Sequence, residues 1–422
     1  MSEIPKDVAM MIIDSVGSNG IAPECGIEYF TVGLDEYLNS LKDEYFDRIL
    51  KISSTVKLIV GTYGGGKSHF LYSVRNLAWK ENFAVSYVSL HENESPFHQI
   101  DSVYKAIAKS LSRPMRLEEL LKGKEAGIES FLKYWYDAKR QEFESKGFSG
   151  NELDNTLMDY SRQIQGFDST SFTNAIRNAF VTLQEKRDDD FTELVLWLKG
   201  EGYDAQFKSK YNIFQKVEKQ TAFSLIRSLV EFITAIGFNG LVLLFDEAEK
   251  IPSLNSKQAD LLASNLREFI DETKQARLAH LFMLYAVPDE GFLQRRGQTY
   301  EALKQRFAKY FDKDTPTGTK IDLRRLNPTE EDAKTFLKNI GLKLSKVYEA
   351  AREIKFDPSM LSVSLQNLVE AVWRKRYGDI SYVRIFVQSS VSGFDRLRKD
   401  QTTSINPDEA DQIVGNVLKV ST

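Results

Sequence analysis

The feature that most constrains this chain is Gly61-Thr62-Tyr63-Gly64-Gly65-Gly66-Lys67-Ser68, which satisfies G-x-x-x-x-G-K-[ST] at every fixed position. Its flanks constrain as much as its letters. Residues 56–60 are short and largely apolar and read as a buried strand ending in the glycines. Residues 69–80 place Phe70, Leu71, Val74 and Leu77 on one side and read as a helix. A strand, a tight glycine loop and a helix in that order make a phosphate cradle. The glycines let backbone N–H groups turn inward toward phosphate oxygens, and the helix start adds the positive end of its dipole. Lys67 is placed to reach β- and γ-phosphates, and the Ser68 hydroxyl to ligate Mg2+. ATP and Mg2+ are the expected ligands.

A second constraint lies further along. Gly240 opens Leu241-Val242-Leu243-Leu244-Phe245, an apolar run that ends in Asp246-Glu247. A carboxylate at the tip of a buried strand can hold Mg2+ through its water shell, the role expected of Asp246. The adjoining Glu247 can orient and deprotonate an attacking water. One acid at a strand end is common. Two, downstream of a phosphate loop, point to hydrolysis of ATP rather than transfer to a small substrate, and to phosphate-loop folds with an additional strand in the sheet. Glu249 reads as a surface residue.

Further strands are expected over 83–90, 281–287 (stopped at Pro288) and 320–323. Continuously apolar strands alternating with helices predict an α/β fold with a parallel sheet buried on both faces. Residues 105–220 lack that rhythm and read as a large helical insertion, with one helix over 128–146. There the near-helical spacing of Phe131, Tyr134, Trp135 and Tyr136 suits a core better than a base-stacking platform. Residues 222–236 form an amphipathic helix, with Leu225, Ile226, Leu229, Val230, Ile233 and Ile236 on one face and Gly237 as its stop. From 327 onward only helical patterns follow, beginning at the capped start Thr329-Glu330-Glu331-Asp332. The expected organisation is a helical lead-in over 1–50, an ATPase core over 51–326 and an α-helical lid over 327–422.

A formal net charge of −4 excludes coating of nucleic acid by bulk charge, so any DNA contact must be local. Residues 295–325 carry nine Lys/Arg against four Asp/Glu, a local excess able to meet DNA phosphates or a neighbouring subunit's nucleotide. Residues 327–422 carry fourteen basic against thirteen acidic residues, which is no basic module, although Trp373-Arg374-Lys375-Arg376 and Arg396-Leu397-Arg398-Lys399 are short basic clusters. The single cysteine, Cys25, excludes an internal disulfide and a cysteine-based zinc site. No apolar run reaches the ~18 residues of a membrane span. Residues 1–17 carry Glu3, Lys6, Asp7 and Asp14, unlike a signal peptide. A cytoplasmic location is expected.

Several segments together resemble a known family. They are Val32-Gly33; the loop with its exit, Gly61 through His69 and Phe70; Gly240-Leu241-Val242-Leu243-Leu244-Phe245-Asp246-Glu247-Ala248-Glu249; and Asn265-Leu266-Arg267-Glu268-Phe269-Ile270-Asp271. They resemble the ATP-binding proteins of BREX systems, of the BrxD type, over roughly 5–395. These are bacterial and archaeal AAA+ ATPases encoded with phage-defence genes, often beside a helicase. The core also looks like the origin-recognition initiators and the transposition ATPases. The resemblance implies a P-loop AAA+ fold with Gly61 to His69 around the triphosphate and Val32-Gly33 near adenine. It implies that Arg306 acts as an arginine finger on a neighbour's nucleotide and that Arg384 acts as the lid's sensor arginine. The polar sensor expected after the fourth strand is not legible in Tyr285-Ala286-Val287-Pro288-Asp289. Partners implied are ATP, double-stranded DNA, further copies of the chain and defence proteins such as a helicase. The alternatives are a nucleotide-gated scaffold with little turnover and an initiator-like DNA loader.

Overall fold

The computed structural model describes residues 4–91, 95–115, 117–121, 126–248, 254–274, 278–312, 314–326, 329–376 and 382–421. Its centre is a sheet of six strands: β1 (Thr55–Val60), β2 (Ala84–Ser89), β3 (Leu111–Ser112), β4 (Leu241–Asp246), β5 (Leu281–Val287) and β6 (Lys320–Asp322). Their spatial order is β3-β2-β4-β5-β1-β6. Every neighbouring pair is parallel except β2 with β3. The additional strand predicted from the acid pair is β5, which lies between the loop strand β1 and the acid-tipped strand β4. All five long-range strand segments expected from the sequence are present. The two-residue β3 was not foreseen.

Register brings the functional ends together. Val60 pairs with Val287 and with Asp322, and Ser89 pairs with Asp246. The C-terminal tips of β1, β2, β4 and β6 therefore lie along one edge, where open α/β sheets bind ligands. Both faces are covered, as parallel pairing requires. Leu58, Val60, Leu243, Phe245, Met283 and Tyr285 belong to one core; Ile59, Val85, Val242, Leu244, Leu284 and Ala286 belong to the other. Lys57 is an exception within β1: it is fully buried.

The region 105–220 is helical as expected, with helices such as Ile128–Ser145, Thr170–Gln184 and Asp188–Leu198. It is no separate lobe. Phe131, Trp135 and Phe180 share a core with the sheet and with Phe232 of the helix Ala222–Ala235. Trp135 lies 4.7 Å from Phe180 and 5.3 Å from Phe232, ring centre to ring centre. Of the four aromatics expected in the core, Tyr134 is the exposed one, with the Arg113 guanidinium 4.9 Å from its ring.

The C-terminal helices Glu330–Arg352, Pro358–Lys375, Tyr382–Lys399 and Pro407–Ser421 share a core of their own. The first starts at a capping box in which Thr329 and Asp332 each bond the other's backbone N–H. The helix Lys6–Asn19 belongs to this same core through Val8, Ile12 and Val16. At Gly17 a Cβ would stand 2.8 Å from Val391 Cγ1, so the two helices approach closely there. Leu34, Leu41, Tyr45, Phe46 and Leu50 instead pack under the sheet. Asn327 and Pro328, where a domain boundary was expected, lie outside the described residues.

Candidate nucleotide site

The glycine loop closes between β1 and the helix Lys67–Lys80, the helix expected after the loop. Gly64 and Gly66 take φ of 70° and 90°, the left-handed region that favours glycine. A Cβ on Gly65 would stand 2.9 Å from the Thr62 carbonyl, so the turn is too tight for a side chain. The Lys67 ammonium is buried and donates to the Gly61 and Thr62 carbonyls at 3.0 and 3.2 Å. It sits inside the curl of the loop.

The acid pair lies against this loop. Ser68 Oγ donates to Asp246 Oδ2 at 2.5 Å. The Tyr87 hydroxyl donates to the same oxygen, and the Glu247 amide donates to Asp246 Oδ1 at 2.8 Å. Asp246 is 2% exposed, so these donors stand where water would otherwise solvate the carboxylate. Burial first, and the neighbouring Asp246 charge second, push the Tyr87 phenol far above its usual range, so it stays a protonated donor. Glu247 has φ of 60°, unusual for a residue with a side chain. Its carboxylate accepts a hydrogen bond from Ser89 Oγ at the tip of β2. Glu249 lies outside the described residues. Ser68 and Asp246 together present hard oxygen donors of the kind Mg2+ prefers.

His69 faces the lead-in. Thr31 Oγ1 gives its one proton to the Ile27 carbonyl at 2.7 Å, so His69 Nε2 donates to Thr31 Oγ1 at 2.7 Å. Burial pushes the imidazole down to about 4, which keeps it neutral. The Phe30 ring meets it edge-on at 5.1 Å, and Lys343 Nζ donates to the Thr31 carbonyl at 2.5 Å. Val32 packs against the C-terminal helical core. Gly33 has φ of 72°, and a Cβ there would stand 3.4 Å from the Phe336 ring. The Val32-Gly33 linker is thus held between the start of the loop helix and the helix Glu330–Arg352.

Arg384 also reaches the loop. Its guanidinium lies 5.1 Å from the Tyr63 ring centre and donates to the Asn19 carbonyl at 2.6 Å. Residues 378–381, which precede it, lie outside the described residues. Arg306 is engaged elsewhere: it pairs with Asp271 at 2.5 Å and donates to the Ala302 carbonyl at 3.1 Å. Beyond β5, Asp289 accepts the Gly291 amide at 2.5 Å. Much of the basic stretch 295–325 is neutralised within the chain, through Lys304–Glu301, Arg306–Asp271, Lys320–Glu290 and Arg324–Asp322. Arg374 and Lys375 pair with Asp411, and Arg396 with Glu409.

Two residues of the site went unread in the sequence, Tyr87 and Ser89. A signal existed: both have hydroxyls, they are two apart, and they close a predicted strand, where a parallel sheet lines its crevice.

A strand–glycine loop–helix unit, with an acid-tipped parallel strand two places away in the sheet, defines a P-loop-type α/β nucleotide-binding protein. The sequence model of one family, described as BREX system ATP-binding protein BrxC/D, matches residues 4–411, and the chain belongs to that family. ATP binding and a place in BREX defence come with it. No curated protein and no solved structure matches the chain. Among the described residues no helix is long and apolar enough to cross a membrane.

Proposed function

We propose that this chain is a Mg2+-dependent AAA+ ATP hydrolase whose nucleotide cycle remodels DNA or a partner protein in BREX defence. One observation carries the proposal: Ser68 Oγ bonds Asp246 at 2.5 Å, with Glu247 next in the chain at the mouth of the loop. In this account Gly61, Thr62, Tyr63, Gly64, Gly65 and Gly66 wrap the triphosphate with backbone amides. Lys67 neutralises its β- and γ-oxygens. Ser68 and Asp246 hold Mg2+, which when bound would offset charge on the phosphates. Glu247 accepts a proton from the attacking water.

The AAA+ assignment is supported by β5 between β1 and β4 and by Arg384 reaching the loop from the C-terminal helices. Residues 51–326 form the ATPase core and 327–422 the lid in this account, with 1–50 leading in. Val32 and Gly33 border the base, and His69 ties that border to the loop helix. Arg306 acts on the nucleotide of a neighbouring copy once Asp271 releases it. DNA contact, if used, falls on cations that the internal pairs leave over, and a helicase-like defence protein is the natural protein partner.

A second account is a nucleotide-gated scaffold with slow turnover. It is favoured by the way Ser89 holds Glu247 and Asp271 holds Arg306. Replacing Glu247 by Gln separates the two. For a hydrolase, phosphate release falls by at least about 100-fold while ATP still binds, and defence is lost. Defence that survives lost hydrolysis would favour the scaffold.

A further inference from the structure

We propose that Tyr87 is a positioning residue that fixes which oxygen of Asp246 is left to face a hydrated cation. Tyr87 lies within β2, one strand away from the acid tip, and is joined to Asp246 only through its hydroxyl and the sheet register. An ionised carboxylate offers about four lone-pair directions, two on each oxygen. On Asp246, Oδ2 accepts from both Ser68 Oγ and Tyr87 Oη, and Oδ1 accepts the Glu247 amide. Oδ2 is thereby filled, and Oδ1 keeps one direction open. Without the Tyr87 hydroxyl, Oδ2 would keep only the Ser68 bond and have a direction open of its own, so either oxygen could face the cation.

The phenol is itself held in place. Its ring stacks on Tyr72 of the loop helix, 4.7 Å between centres and 19° between planes. Arg75, one turn further along the same helix, covers the Tyr72 ring at 4.7 Å and the Trp79 ring at 4.5 Å. The Arg75 guanidinium is buried and donates to the Glu24 carbonyl and, at 3.3 Å, to the Glu24 carboxylate. A hydroxyl on a stacked and clamped ring has little freedom, which suits a group that sets the angle of another. Partners of this outer kind orient metal-binding carboxylates, and their loss weakens metal affinity by about 10–100-fold.

The inference rests on the magnesium–ATP chemistry proposed above, so its test reads metal dependence apart from nucleotide binding. Full-length wild type and Tyr87→Phe would be titrated with ADP in EDTA, then with ADP at rising Mg2+, by calorimetry. Tyr87→Phe keeps the ring and its stack, and the affinity in EDTA checks that the pocket is formed. The expected result is an unchanged affinity in EDTA and an about 10–100-fold rise in the Mg2+ needed for half of the metal-dependent gain. An unchanged Mg2+ requirement overturns the role of Tyr87. A loss in EDTA equal to the loss with Mg2+ also overturns it, since the hydroxyl would then only support the fold. Wild type that binds no ADP in either buffer, like Lys67→Ala, defeats the nucleotide account itself and not this one alone.

Discussion

Lys57 shows how far a single side chain can depart from its ordinary chemistry. It lies wholly inside the sheet's packing, 4.1 Å from the Tyr45 ring centre and 4.4 Å from that of Phe311. Its Nζ donates to Tyr45 Oη at 2.8 Å and to the Gly318 carbonyl. Among the described residues no carboxylate pairs with it, and burial pulls its pKa from 10.5 to about 7. Between those two values the unfolded chain holds a proton that the folded chain has shed. Stability therefore rises with pH across that window and is lost as pH falls toward 7. Thermal unfolding of wild type and Lys57→Met should show this as a slope present in the first and missing in the second. Parallel curves would mean that Lys57 stays charged in the fold. At this scale the sequence was legible where chemistry demands a fixed spacing, as in Lys67-Ser68 and Asp246-Glu247. It was silent where a contact arises only from register. Lys57 sits in a run that reads as apolar, and Tyr87 meets Asp246 only because β2 and β4 pair Ser89 with Asp246.

At the scale of elements, burial on both faces made the strands readable. β4 and β5 have no exposed residue to break their apolar runs. β3 offered no such run, being two residues paired antiparallel at the sheet edge. The helical character of 105–220 was readable from its periodicity, but its fusion with the sheet's core was not, because that depends on Phe131, Trp135 and Phe180 meeting Phe232 across long sequence distances. The entry to β4 is a crowded point between two strands. Gly240 has φ of 152°, and a Cβ there would overlap the His280 carbonyl and stand 2.8 Å from the Phe83 ring. Gly240→Ala should cost at least about 1–3 kcal/mol in urea unfolding, the range for forcing atoms into a packed site. A loss within error of zero would mean that the β4 entry is free to shift.

For the whole molecule, the loop helix, the lead-in and the C-terminal helices meet at a seam of His69, Thr31 and Lys343, while Arg384 crosses from the C-terminal helices to Tyr63. The glycine loop and the C-terminal helices are therefore joined by direct contacts. The proposed role of Arg306 requires a second copy, and mass measurement with a non-hydrolysable ATP analogue tests that, with and without duplex DNA. A mass above that of one chain is expected with the analogue. A monomer in every condition removes the proposed trans role of Arg306.

The helix Lys6–Asn19 finds its packing partners in helices that begin at Glu330 and at Tyr382. A chain emerging from the ribosome makes that helix long before those partners. Its apolar stripe of Val8, Ile12 and Val16 must wait, uncovered, while the whole sheet is synthesised. Uncovered apolar surface of this kind favours aggregation until its partners arrive. The same packing also means that a fragment beginning at Thr329 would lack one wall of its own bundle.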